Sequence, residues 1–395
     1  MLIRRYRKWM HDWEYRLTTR DTNRVVRPFD WGLDWLDSLD LDSIHKGLTP
    51  PPAGFPNLER WFVELNQRIV ENSDEFYGYK VPTDFRLETR QIRVYGTGSG
   101  ADHERDDARY KGKFAEFLRF TSPVRTPFPE NNLVNARWYP AKDSKRALIV
   151  MPQWNADAIS HCAFGNLFNL MGVSMLRLSM PYHDIRMPAE LQRADYAVSA
   201  NIARTIASVK QGVIDVRACV DWLEQQGYEE FGVLGTSLGS CNAFVASAHD
   251  ARIKVNLFNH ASTYFGDVVW TGHSTRHIRE GIAEVMDQDR LRKVFLGISP
   301  MVYFDKFERW PKKTLMIYTH YDQTFLPEFS EVIAAEFRRR HDDAKIVGLP
   351  CGHYTLGETP YKYMDAYHIC AFVKRAFKSE PRSRKQVPVE AEASR

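Results

Sequence analysis

One serine in this chain stands in a pattern typical of an activated nucleophile. Residues 235–239 read Gly-Thr-Ser-Leu-Gly and fit G-x-S-x-G, with a short apolar run before them and a helix-forming run after them. In that context a sharp strand-to-helix turn holds the serine in a strained conformation, and small residues on either side let the turn close. The hydroxyl then projects above the end of the strand. The pattern predicts Ser237 as a nucleophile.

A serine hydroxyl needs an imidazole to accept its proton and a carboxylate to orient that imidazole. His353 follows the apolar run 346–349 in LPCGHYTLG, and Asp322 follows the run 314–318 in THYDQTFLP. The carboxyl ends of parallel strands lie at one edge of a sheet, and the order Ser, Asp, His is the expected one. We predict His353 as general base and Asp322 as the orienting acid, with Asp184 as a rival for the second role.

Acyl transfer also requires backbone N–H groups that stabilise the oxyanion of a tetrahedral intermediate. One should be the amide of Leu238, directly after the nucleophile. The other should come from the loop after the run 147–151, which reads Pro-Gln-Trp-Asn. Proline has no N–H. The second donor is therefore Gln153 or Trp154, and we favour Trp154.

Short apolar runs alternate with amphipathic helices between about residues 113 and 378. This alternation predicts a mainly parallel central sheet with helices on both faces. Residues 1–112 are rich in Trp, Tyr and Arg and form a predicted extension of helices and loops. The polar, charged residues 379–395 form a predicted disordered tail.

Residues 262–310 interrupt the alternation with helical, aromatic-rich sequence. The segment leaves and re-enters the predicted sheet near the catalytic edge, so we predict a helical cap over the nucleophile. Two interpretations of its aromatic residues remain. They line a substrate pocket, for which Tyr264, Phe265 and Trp270 are the candidates, or they form a small core of the cap itself.

These motifs resemble the α/β-hydrolase superfamily, from about residue 113 to residue 378. Within it, QGVIDVRACVDWL before FGVLGTSLGS is similar to the dienelactone-hydrolase-like and acetyl-esterase-like branches. MPYHDIRMP and MPQWNAD resemble loops of a poorly characterised bacterial serine-hydrolase group. The chain departs from many relatives at PQWN, where they have His-Gly, and at Ser240, where a second glycine is usual. The resemblance implies an α/β-hydrolase fold and hydrolysis of a small-molecule carboxylic ester through an acyl-enzyme.

Two other functions are compatible with the same residues. An acyltransferase that uses an alcohol other than water would need the same three side chains. A non-catalytic binding protein of this fold would be expected to lack one of them, and here all three candidates are present. Peptidases of this fold usually carry a propeller or an acidic pair that binds an amine, and neither is evident.

Two further groups of polar residues have structural explanations. His183, Asp184 and Arg186 follow a predicted strand, and a local pair between Asp184 and Arg186 that braces their loop is favoured over a role in substrate binding. Three other histidines lie close in sequence without the carboxylate or cysteine spacing of a metal site; they are His260, His273 and His277. We therefore predict neither a metal nor a cofactor.

Composition limits the compartment and the partners. The 395 residues are 44% hydrophobic and 26% charged, and the net charge of +4 is too small to indicate a nucleic-acid partner. Five widely spaced cysteines predict free thiols in the cytoplasm. No apolar run approaches the roughly 20 residues of a membrane span. The basic, aromatic residues 1–18 could touch a membrane surface, but a helix packed on the core is favoured.

Overall fold

The apolar runs of the middle of the chain become parallel strands because helices cover both of their faces. The computed structural model describes residues 2–41, 57–92, 110–340 and 344–378. The strands of these residues are β1 (Arg86–Gln91), β2 (Phe114–Thr121), β3 (Leu133–Tyr139), β4 (Arg146–Met151), β5 (Ser174–Leu178), β6 (Glu230–Thr236), β7 (Ile253–Asn259), β8 (Lys313–Thr319) and β9 (Ala344–Leu349).

All of these strands belong to one sheet, in the order β1-β2-β3-β5-β4-β6-β7-β8-β9. The pairs from β1 to β5 are antiparallel, and every pair from β5 through β4 to β9 is parallel. The predicted, mainly parallel sheet is therefore confirmed. Its parallel part brings the carboxyl ends of β6, β7, β8 and β9 to one edge, where the candidate site lies.

Helices pack on both faces of the sheet. They are α1 (Leu2–Thr18), α2 (Leu36–Leu39), α3 (Leu58–Glu71), α4 (Ser73–Phe76), α5 (Ala163–Asn169), α6 (Ile202–Gln225), α7 (Leu238–Ala248), α8 (Phe265–Thr271), α9 (Arg276–Ile282), α10 (Gln288–Val294), α11 (Phe304–Phe307), α12 (Pro327–Arg340) and α13 (Tyr361–Ala376). None of the described helices is both long and apolar enough to cross a membrane.

Strand β4 shows how the two faces are built. Ile149 and Met151 point into the core formed with α6, α7 and α3, whereas Leu148 and Val150 point into the core formed with α5 and α13. Successive side chains of a strand alternate between faces, so a strand buried on both faces must be apolar throughout. This requirement explains the uninterrupted apolar sequence of the run.

The predicted N-terminal extension contributes to the same sheet and cores. Strand β1 pairs with β2 along the antiparallel edge. Phe62, Leu65 and Ile69 of α3 are fully buried in one core, and Met10 of α1 is fully buried in the other. The sheet thus begins before residue 113. The predicted tail, residues 379–395, lies outside the described residues.

The predicted helical cap is confirmed. Helices α8, α9, α10 and α11 lie between β7 and β8, and α8 packs on both α9 and α10. Ile282, Leu291 and Phe295 are fully buried, so the cap has apolar packing of its own. The amphipathic spacing of these short helices directs their apolar faces inward.

Candidate active site

Ser237 occupies the turn between β6 and α7 in a strained backbone conformation, with φ 56° and ψ −119°. A Cβ on Gly235 would lie 2.2 Å from the carbonyl oxygen of Gly239, and a Cβ on Gly239 would lie 2.4 Å from that of Met151. Only glycine fits at both positions, because the obstructing atoms belong to the backbone. The Ser237 amide donates to the carbonyl of Asn259 at 2.8 Å, which ties the turn to β7.

The structure brings the three predicted side chains together in a line of hydrogen bonds. His353 Nε2 lies 3.0 Å from Ser237 Oγ, and His353 Nδ1 lies 2.9 Å from Asp322 Oδ2. Asp322 Oδ1 accepts the amides of Thr324 at 2.8 Å and Phe325 at 2.7 Å. The carboxylate is therefore fixed from one side by its own loop and presents its other oxygen to the imidazole.

A second imidazole faces the same carboxylate oxygen. His260 follows β7, and its Nδ1 lies 3.0 Å from Asp322 Oδ2. The His260 and His353 rings have centroids 4.1 Å apart. In the sequence, His260 is notable only as one of three neighbouring histidines without the spacing of a metal site. Its position directly after a strand that ends at the catalytic edge is the signal that could have identified it.

Among the described residues, His260, Asp322 and His353 form a cluster whose side-chain atoms are close enough to bind one metal ion. The atoms of His260, Asp322 and His353 lie within 4.8 Å of one another. Both imidazole Nδ1 atoms already face Asp322 Oδ2. An ion bound through these atoms would replace the contacts between the imidazoles and Asp322.

The charges of the cluster shift its pKa values in opposite directions. Burial alone would raise the pKa of Asp322, but the two imidazoles hold it well below its usual range. Burial would lower the pKa of His353, and the charge of Asp322 with its hydrogen bond outweighs this and raises it. Burial and the neighbouring His353 lower the pKa of His260 to about 4. His260 is thus neutral near pH 7, and His353 is the basic imidazole.

The predicted ion pair between Asp184 and Arg186 is wrong. Asp184 pairs with Arg177 of β5, and Arg186 Nη2 lies 2.9 Å from Asp215 of α6. Both arginines are buried, so each needs a carboxylate inside the protein. The short helical turn over Asp184–Arg186 directs the two side chains to different partners. The rival carboxylate is therefore engaged with Arg177, and the His353 imidazole faces Asp322.

The loop after β4 lies against the start of α7. Gly239 packs on the carbonyls of Met151 and Pro152, so Leu238 begins its helix beside this loop. The Trp154 side chain lines the cavity over Ser237, and its indole Nε1 donates to the Ala194 carbonyl at 2.8 Å. This hydrogen bond holds the indole ring in place. It does not involve the backbone amide of Trp154, which is the group predicted to contact the oxyanion.

His183 anchors the same loop. The Asn155 amide donates to His183 Nε2 at 2.9 Å, and His183 Nδ1 lies 2.8 Å from the Pro181 carbonyl. A carbonyl only accepts, so the proton of this neutral imidazole is on Nδ1. Burial lowers the pKa of His183 to about 4, which keeps it neutral near pH 7. Sequence analysis did not assign this role, because the contact joins two loops that are distant in the chain.

An apolar cavity lies over Ser237, between α7 and the cap. The volume of this cavity that the centre of a water molecule can occupy is about 60 Å³. Tyr264 and Phe265 line it, together with Val198, Phe244, Val268, Val269, Phe325 and Ile333. Trp270 is not among the described lining residues. Phe265, Val268 and Val269 share one face of α8, and the helical period of 3.6 residues places position 270 on another.

Comparisons with known proteins identify the fold. No protein-family model matches the chain, and no curated protein matches it in sequence. An acetyl xylan esterase from Paenibacillus sp. R4 is 13% identical over 84% of this chain and 98% of its own, with a TM-score of 0.50. An acylaminoacyl peptidase from Pyrococcus horikoshii is 13% identical over 68% of this chain and 42% of its own, with a TM-score of 0.51. Together with the sheet topology, these similarities show that the protein has the α/β-hydrolase fold.

Proposed function

We propose that the protein is a serine hydrolase that cleaves a small-molecule carboxylic ester through an acyl-enzyme. Ser237 is the nucleophile, His353 the general base and Asp322 the acid that orients it. The observation that carries this proposal is the pair of contacts on one imidazole, 3.0 Å from Nε2 to Ser237 Oγ and 2.9 Å from Nδ1 to Asp322 Oδ2. The carboxylate keeps the proton on Nδ1, so that Nε2 is free to accept the serine proton.

In the first half-reaction Ser237 Oγ attacks the ester carbonyl carbon while its proton moves to His353 Nε2. The negative charge of Asp322 stabilises the imidazolium that forms. The tetrahedral intermediate then collapses, its bond to the leaving oxygen breaks, and that oxygen takes the proton from Nε2. The alcohol departs and the acyl group remains on Ser237.

The oxyanion of that intermediate needs backbone donors that are already in place. We assign one to the amide of Leu238, at the positive end of α7. We assign the other to the backbone amide of Trp154. Trp154 lines the cavity, whereas Gln153 is not among the described lining residues. The His183–Asn155 contact supports this assignment, since it fixes the loop on the far side of the donor.

In the second half-reaction a water molecule gives a proton to His353 Nε2 as its oxygen attacks the acyl carbon. The bond to Ser237 Oγ breaks, and Oγ recovers the proton from Nε2. The products are a carboxylic acid and the free enzyme. No electron or co-reactant other than water is required by these steps.

The cavity indicates the acyl group. Its lining is mainly apolar, and Phe265 and Tyr264 come from the cap while Phe244 comes from α7. A charged acyl chain would lose its hydration there without a partner, which is costly. We therefore propose esters of short, uncharged carboxylic acids as the substrate class.

Labelling with a fluorophosphonate probe tests the proposal without knowledge of the natural substrate. Wild-type protein should be labelled at Ser237, and Ser237→Ala should lose labelling together with about 10⁶-fold of the turnover of p-nitrophenyl acetate. Ser262→Ala is the matched control, since Ser262 is a buried serine that lines the same cavity. Equal labelling of the Ser237→Ala variant would refute the proposal.

A further inference from the structure

A buried carboxylate from the N-terminal helix lies under the loop that carries His353. The Glu14 side chain of α1 has no exposed surface. Its Oε1 accepts the Tyr354 amide at 2.9 Å, and its Oε2 accepts the Thr355 amide at 2.9 Å and the Thr355 hydroxyl at 3.0 Å. A Cβ on Gly352 would lie 2.4 Å from the Glu14 carboxyl group. The backbone on both sides of His353 is therefore wrapped closely around one carboxylate.

Two other residues of α1 contact the loops that carry His353 and Asp322. The Tyr6 hydroxyl donates to the carbonyl of Pro350, three residues before His353. The carbonyl of His11 accepts the side-chain amide of Gln323 at 2.9 Å, directly beside Asp322. One helix thus contacts both the loop of the proposed base and the loop of the proposed acid. Neither loop contains a regular element long enough to fix its own conformation.

We propose that Glu14 is a positioning residue for His353, and that α1 braces the loops of His353 and Asp322 from the N-terminal part of the chain. The proposal rests on the function assigned above to His353. It gives the N-terminal helix a role in the activity that packing alone would not require. The brace acts through backbone amides, so Glu14 touches neither the substrate nor the reacting atoms.

The chemistry of the contacts indicates that Glu14 is ionised. The backbone amides of Tyr354 and Thr355 contact both carboxyl oxygens and can only donate, and an ionised carboxylate is an acceptor only. Burial and the nearby Asp322 raise the pKa of Glu14, and the amides of Tyr354 and Thr355 oppose that rise.

The charge of Glu14 adds a second readout. The titratable groups that face His353 are Asp322 after β8, His260 after β7, Tyr354 in its own loop and Glu14 from α1. Of these, Asp322 and Glu14 are the anions, and both raise the pKa of His353 against the effect of burial. Loss of the Glu14 charge should therefore lower that pKa, whereas loss of packing alone would expose His353 to water and raise it.

The test compares Glu14→Gln, Glu14→Ala and a control, Asp12→Asn, which removes one carboxylate from an exposed position of the same helix. The pH dependence of kcat/KM for p-nitrophenyl acetate is measured together with kcat and KM. In Glu14→Gln the acid limb should move to lower pH by about half a unit or more, since the imidazolium loses a stabilising charge. In Glu14→Ala the free amides let the loop shift, so kcat should fall about 100-fold while KM changes little.

Asp12→Asn should retain the wild-type pH profile and kcat. If Glu14→Gln and Glu14→Ala both match it, the brace is refuted while the assignment of Ser237 stands. If Glu14→Ala does not fold, the pH profile of the isosteric Glu14→Gln decides the question. Failure of the proposed function is a separate result, because it would appear as undiminished fluorophosphonate labelling of Ser237→Ala.

Discussion

The turn that carries Ser237 and the loop that carries His353 are held in different ways. Within the turn, the Ser240 amide donates to the Ser237 carbonyl at 2.8 Å, and Gly235 packs on Gly239. The contacts of the turn outside the motif are with the ends of neighbouring strands, at Asn259 of β7 and Met151 of β4. The His353 loop receives its acceptor from Glu14, 340 residues away from Tyr354 in sequence. A nucleophile can therefore be specified by a short local motif, whereas the position of its base depends on contacts between distant parts of the chain.

Apart from loss of the nucleophile itself, the largest effect is expected at Asp322, whose Oδ2 lies 2.9 Å from His353 Nδ1. Asp322→Asn should lower kcat about 10⁴-fold, because a neutral amide leaves the imidazole in the wrong tautomer. The asparagine oxygen can still accept the amides of Thr324 and Phe325, so the fold should be retained. Steady-state kinetics and thermal unfolding of the variant check both statements.

The pH profile of the same variant has a defined sign. His353 must be neutral to act as a base, so activity rises as the pH increases through its pKa. Asp322 raises that pKa, and its charge is absent in Asp322→Asn. The acid limb of the residual activity should move to lower pH; a shift to higher pH would contradict the assigned electrostatics.

A substitution in the turn that carries Ser237 should lower kcat less than Asp322→Asn does, and it should also lower the free energy of unfolding. In Gly239→Ala the new Cβ would lie 2.4 Å from the Met151 carbonyl and 2.6 Å from that of Pro152. The loop with the proposed oxyanion donor must move, so we expect about 100-fold loss of kcat and about 1–3 kcal/mol of destabilisation.

Gly357→Ala is the matched control on the other side of the comparison. Gly357 follows the His353 loop, and a Cβ there would meet no atom within 4 Å. Chemical denaturation and kinetics should show little change. A comparable loss in both variants would mean that the turn is not specially dependent on glycine.

The smallest effect concerns the cavity. Phe265→Ala enlarges the space beside Ser237, so the preference among p-nitrophenyl esters should shift by about 10-fold toward longer acyl chains, at the low end of the roughly 1–3 kcal/mol that one methylene contributes. Trp270→Ala is the control, because Trp270 lies outside the cavity lining while belonging to the same helix. Equal shifts in the chain-length profiles of the two variants would contradict the assignment of Phe265 to the substrate pocket.

The features that could be predicted from the sequence are those whose physical requirements are local. The apolar run that became β4 is uninterrupted because both faces of that strand are buried. Gly235 meets a steric demand within five residues, because Gly239 packs against it, whereas Gly239 itself is required by the carbonyls of Met151 and Pro152. Asp322 and His353 could be chosen because parallel strands must end at one edge of the sheet.

The remaining features depend on side-chain direction and on distant contacts. Neighbourhood in sequence suggested an Asp184–Arg186 pair, but each side chain found a buried partner on another element. Trp270 was predicted because it is an aromatic residue of the segment 262–310, but its position on α8 places it outside the cavity lining of the described residues.

Glu14 shows the same limit most clearly. In sequence it is one charged residue of a basic, aromatic helix, and nothing in its neighbours indicates a role in the site. Only the folded chain brings its carboxylate to the amides of Tyr354 and Thr355 and removes it from water. A pattern of residues determines strands, turns and sheet edges, because these depend on neighbours, whereas the partners of a buried charge are decided by tertiary packing.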